Sequence, residues 1–106
     1  MITFNDFQQL DLRIGKVKAV TEHPRADTLL ILTVDIGGEE RQMVAGLKGH
    51  YAAESLVGKN IVVLANLEPA VLRGVESQAM LLAAEEAGRV ILLVPDQECA
   101  AGAKVR

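Results

Sequence analysis

From Leu12 onward the apolar positions recur every second residue, the period of a strand that buries one face. Leu12 and Ile14 point one way, and Val17 and Ala19 continue with the phase shifted by one residue. The pattern therefore predicts a bent strand with a β-bulge at Gly15-Lys16, the kind of strand that small closed barrels use. Ahead of it, Thr3-Phe4-Asn5-Asp6 has the spacing of a capping box, with aspartate where Glu or Gln is usual. A short helix through Gln8 would set Phe4 and Phe7 on one side. After the turn His23-Pro24-Arg25-Ala26-Asp27, a second strand over Leu29–Ile36 turns Leu30, Leu32, Val34 and Ile36 inward. Gly37-Gly38 predicts a hairpin. Glu39–Ala45 returns as the third strand, with Gln42 and Val44 facing opposite to Arg41 and Met43.

The second half is read as a loop over Gly46–Tyr51, a helical turn over Ala52–Val57, and an apolar strand over Asn60–Asn66 that Glu68-Pro69 ends. A connection through Leu72–Glu76 leads to a strand over Ser77–Ala84. Glu85–Gly88 is a turn, and Arg89–Val94 pairs back. Pro95-Asp96 and Ala101-Gly102 punctuate a terminal extension. The expected class is all-β: an OB-fold, a five-stranded Greek-key barrel, with a short helix between strands 3 and 4, a short N-terminal helix and a C-terminal β extension. A β-sandwich is the alternative, because periodicity fixes strands better than closure. The 106 residues are expected to form a single domain spanning 1–106.

Composition narrows the function. Half of the residues are apolar and 24% charged, a globular balance. The longest apolar run, Ala79–Ala84, is far short of the roughly 20 residues of a membrane span. The mixed, acidic start Ile2–Asp6 does not read as a signal peptide, so a cytoplasmic location is expected, with no membrane partner. One cysteine, Cys99, and two histidines are too few for an intramolecular disulfide or a structural zinc site, and no cofactor fingerprint occurs. Gly-x-Ser-x-Gly is missing and neither Ser55 nor Ser77 has a plausible His-acid partner, so no enzyme is expected. The formal charge is −3, spread evenly: six basic and seven acidic residues in 1–53, five and seven in 54–106. Contact with a nucleic acid must then come from a local patch or from shape.

Five strings occur in order: Asp11-Leu12-Arg13-Ile14-Gly15-Lys16-Val17, His23-Pro24-x-Ala26-Asp27, Arg41-Gln42-Met43-Val44-Ala45-Gly46-Leu47, Asn66-Leu67-x-Pro69, and Leu72-Arg73-Gly74-Val75-Glu76-Ser77-Gln78-x-Met80. Together they resemble the tRNA-binding domain family, over roughly residues 6–105. That family includes stand-alone dimeric tRNA-binding proteins and the C-terminal module of many methionyl-tRNA synthetases. The resemblance implies a two-fold dimer and recognition of the folded L-shape of tRNA. It implies RNA contacts from Arg73, Ser77 and Met80, with Arg41 from the third string. The chain departs from the family pattern at Thr28, where many members have Lys, and at Ala79, where Gly is usual.

The residues themselves point the same way. Aromatic residues are 3% of the chain, and with Phe4 and Phe7 in the N-terminal helix only Tyr51 is left for a base-stacking platform. Structured RNA, read through phosphates and 2′-hydroxyls, needs donors instead. Arg41, Lys48, Arg73, Ser77 and Gln78 are donors of that kind, and Met80 joins them on the resemblance alone. Each also has a structural reading. Arg41 has Glu39 or Asp35 in reach, Ser77 is placed to cap a turn, Met80 fits a core, and His23 reads as a turn residue. The expected function is a non-catalytic tRNA-binding module assisting an aminoacyl-tRNA synthetase, in cis or in trans. The alternative is a dimeric protein-interaction or chaperone-like protein on the same barrel.

Overall fold

One long strand, β1 (Leu12–Glu22), organises the molecule by pairing with different partners along its length. In the computed structural model, which describes residues 1–106, its first half runs antiparallel to β4 (Asn60–Leu64) and its second half to β2 (Leu30–Asp35). Lys16 sits at the crossover, opposite both Asn60 and Asp35. With β3 (Glu40–Ala45) beside β2 and β7 (Met80–Leu81) beside β4, the order is β3-β2-β1-β4-β7 in a five-stranded sheet. The sheet curls until β3 meets β6 (Val75–Ser77) and the residues after it, and Gln78 N–H donates to the Gln42 carbonyl at 2.7 Å.

The inward face of β2 is as its alternation predicts: Leu30, Leu32, Val34 and Ile36 are fully buried. They meet Val17, Met43, Ile61 and Val63, while Leu56 of α2 (Ala53–Leu56) and Leu92 of β9 (Arg89–Leu92) complete the same cluster. Gly15 belongs to this inner face, where a Cβ would stand 2.6 Å from Val34 Cγ1. A glycine is needed there because two valine-bearing strands pass close by. The hairpin at Gly37-Gly38 is present, with both glycines at positive φ and both N–H groups donating to Asp35 Oδ1. The N-terminal helix α1 (Phe4–Gln8) carries the capping box: Thr3 Oγ1 accepts from Asp6 N–H, and Asp6 accepts from Thr3 N–H.

Three sequence expectations are corrected. The bulge lies at Lys18, between the pairs Val17/Val34 and Ala19/Thr33, and not at Gly15-Lys16. Leu12 and Ile14 are buried outside the interior cluster that holds Val17, so the phase of β1 does not change at Gly15. A strand buried on both faces looks like one buried face with a slip. The run Ser77–Ala84 is also not one strand. It is divided among β6, β7 and β8 (Ala83–Glu86), because each piece has a different partner: β5 (Ala70–Leu72), β4 and β9 respectively. Residues Leu72–Glu76, read as a connection, lie within the β5–β6 hairpin, whose strands pair from Ala70 with Ser77 to Leu72 with Val75.

The terminal extension pairs with the free edge of β1. Ile14 N–H donates to the Ala103 carbonyl, Gly102 N–H to Ile14, and Val105 N–H to Leu12. Asp11 ties the two together, 2.7 Å from the Arg13 guanidinium and 3.6 Å from Lys104 Nζ. Hydrogen bonds from Arg13, and then the charges of Arg13 and Lys104, outweigh desolvation and hold the Asp11 carboxyl below its ordinary 3.8. A carboxyl depressed by folding contributes stability above its unfolded value and loses it as pH falls through the folded one. Thermal melts are expected to show the wild type losing stability more steeply than Asp11→Asn as pH drops below about 4.

Candidate nucleic-acid interface

Three of the six residues singled out in the sequence meet at the barrel seam. Arg41, on β3, donates from Nη1 to the Ala65 carbonyl at 3.0 Å and through Nε and Nη2 to Glu39. Ser77 is buried; its Oγ accepts from Val44 N–H at 3.0 Å and donates to the Ala79 carbonyl at 2.9 Å. Gln78 Oε1 accepts from Gln42 N–H at 2.9 Å. Side chains thus replace the ladder that a fully paired closing strand would supply. Met80 lies beyond the seam, opposite Leu64 in register and 44% exposed, so its place is on the surface and not in the core. Lys48, in the loop after β3, pairs with Glu22 at 2.9 Å.

Arg73 stands apart at the tip of the β5–β6 hairpin. With φ of 53° at Arg73 and 87° at Gly74, the turn has both central residues left-handed, as two-residue hairpins prefer. An arginine in that conformation is strained by roughly 1–2 kcal/mol relative to glycine. Beside it is the loop after β1. His23 is buried, its Nε2–H donating to the Leu72 carbonyl at 3.0 Å while its Nδ1 accepts from Arg25 N–H at 3.0 Å. His23 is therefore a clamp between loop and hairpin. Its sequence sign was the Pro24 that follows it, which marked only a turn.

The charges divide this face. Arg41 shares a groove with Glu39, Glu40 and Glu76, and with Leu67, Pro69 and Gln78. A phosphate is repelled there, since the single cation is already paired with Glu39. At the hairpin tip no carboxylate lies within 4.0 Å of Arg25 or Arg73, whereas Arg13, Arg41, Lys48 and Lys104 all have one. Tyr51 offers no stacking plane: it packs against the core and its hydroxyl accepts from Leu92 N–H. Phe4 and Phe7 line a separate groove between α1 and the C-terminal residues Lys104, Val105 and Arg106. No helix is long and apolar enough to cross a membrane.

A curled five-stranded sheet with a helix after its third strand and a hairpin tipped by an exposed arginine at one end defines an OB-like barrel of the kind that meets oligonucleotides through its outer face and loops. Residues 12–104 match the family described as "Putative tRNA binding domain", and the chain belongs to that family. It is 54% identical over 105 residues to a methionine–tRNA ligase of Thermococcus kodakarensis, covering 99% of this chain and 14% of that protein. The chain thus spans about one-seventh of the length of that curated relative, and the relative's catalytic domain is not in it. Among solved structures, a MetRS-related protein from Pyrococcus horikoshii superposes with a TM-score of 0.93 at 36% identity, covering 100% of this chain and 98% of that one. The chaperone CsaA from Bacillus anthracis superposes with a TM-score of 0.90 at 36% identity, covering 100% and 99%.

Proposed function

We propose that residues 1–106 act as one non-catalytic tRNA-binding unit that serves a methionyl-tRNA synthetase in the cytoplasm, in cis or in trans. The observation that carries the reading is Arg73, exposed at the hairpin tip with no carboxylate within 4.0 Å, on a chain whose net charge is −3. In this proposal Arg73 contacts the RNA backbone and exposed Met80 lies under the ribose-phosphate chain. Ser77, Gln78 and Arg41 hold the surface that presents them, and Lys48 joins the contact only by giving up Glu22. With so few cations at the hairpin tip, and a net charge of −3, binding is expected to be modest and to weaken steeply with salt.

The test is a titration of folded tRNA and of the same RNA heat-denatured, each at two salt concentrations. Preference for the folded form supports the reading. Absence of binding to either form favours the chaperone-like alternative, which the likeness to CsaA keeps in view. Arg73→Gly sharpens the test, because glycine is at ease at positive φ. Binding is expected to fall several-fold while the melting temperature holds or rises; a lowered melting temperature with unchanged affinity would make Arg73 a structural residue.

We also propose a two-fold dimer through the groove beside α1, where Phe4 is 71% exposed and Leu10 and Val105 are its neighbours. Light scattering at micromolar concentration is expected to give twice the 11.4 kDa of one chain; a monomer would overturn this.

A further inference from the structure

Arg25 and Arg73 are 48 residues apart in sequence, yet Arg25 Nε donates to the Arg73 carbonyl at 3.3 Å. The Arg25 guanidinium lies over the turn, and a Cβ on Gly74 would collide with it. Its loop is fixed independently, since His23 takes the Arg25 N–H on one ring nitrogen and holds the Leu72 carbonyl with the other. These bonds bring two arginines to one exposed spot with no carboxylate within 4.0 Å of either.

We infer that Arg25 is a second phosphate-binding residue of the tRNA site, forming with Arg73 a fork for the RNA backbone. The inference rests on the tRNA-binding reading above and adds a residue to it. A guanidinium bonded to a carbonyl keeps its full positive charge, unlike that of Arg41, whose charge is partly neutralised by Glu39. One bond through Nε leaves both terminal nitrogens free, in the planar geometry that meets two phosphate oxygens at once. The anchor also removes much of the side-chain freedom that binding would otherwise have to freeze.

The plainer role for Arg25 is that of a prop for the hairpin, and three variants of the full chain separate the two. Arg25→Ala is expected to weaken folded-tRNA binding five- to tenfold at low salt and to lower the slope of log K against log salt by about 1. Arg25→Gln, which keeps a donor for the Arg73 carbonyl but no charge, is expected to be as weak as alanine. Arg25→Lys is expected to recover the slope but not the whole affinity, because an ammonium is a point charge and not a fork. Unchanged affinity and slope in Arg25→Ala, or wild-type affinity in Arg25→Gln, would overturn the inference while the tRNA reading stands on the wild-type preference for folded RNA. A wild type with no such preference would overturn both.

Discussion

Ser77→Ala is expected to destabilise the barrel by about 1–3 kcal/mol, the penalty for stranding a buried backbone donor. The donor is Val44 N–H, whose acceptor at the seam is the Ser77 hydroxyl and not a strand carbonyl. The same hydroxyl donates to Ala79, which is itself buried in the core, so the substitution leaves two backbone groups short of a partner. In a domain of this size each kcal/mol moves the melting temperature by roughly 4–8 °C. Urea or thermal unfolding measures the change directly. A loss below about 0.5 kcal/mol would show that solvent replaces the hydroxyl, which is the behaviour of an exposed cap.

Gly37→Ala is expected to have a larger effect still. A Cβ at Gly37 would stand 2.7 Å from the Gly102 Cα, and one at Gly102 would stand 2.8 Å from the Gly37 Cα. Backbone meets backbone at this point, so no side chain can swing aside. Either substitution must push the C-terminal segment away from the β2–β3 turn. Gly38 supplies the control, since it also has positive φ but nothing within 4 Å of an added Cβ. Gly38→Ala is expected to cost about 1 kcal/mol through the left-handed backbone alone. Gly37→Ala is expected to exceed it by at least about 2 kcal/mol, the order of an overpacked site. Amide exchange at Ile14 and Val105, whose bonds join the terminal segment to β1, should rise in Gly37→Ala only. Equal losses in the two variants would mean that the terminal segment adds nothing to stability.

The regular parts of the fold were legible in the alternation of side chains. Leu30, Leu32, Val34 and Ile36 announced an inward face, Gly37-Gly38 announced a hairpin, and Thr3 with Asp6 announced a helix start; all three are present. Alternation failed in β1, because Leu12 and Ile14 are buried on one face while Gly15 and Val17 are buried on the other. It failed again after Ser77, where Ala79–Ala84 is one unbroken apolar run although β7 and β8 within it take different partners. Site residues were legible as residue types, not as arrangements. Nothing in the order of residues shows that Ser77 and Gln78 spend their polar atoms on Val44 and Gln42. The sequence comparison counted a missing cation at Thr28, but only the folded chain reveals Arg25 leaning on a hairpin 48 residues away.

The groove of Glu39, Glu40 and Glu76 adjoins the arginine tip along one short hairpin, since Glu76 pairs with Val71 two residues before Arg73. Such an arrangement of charge acts as a dipole on any approaching polyanion, turning it before the surfaces touch. If the proposed site holds, an RNA laid flat across this face would meet repulsion, and one arriving with a single ridge toward the hairpin end would be drawn in. An acidic protein can in this way select the angle of encounter, with its negative groove serving as the part that refuses the wrong pose.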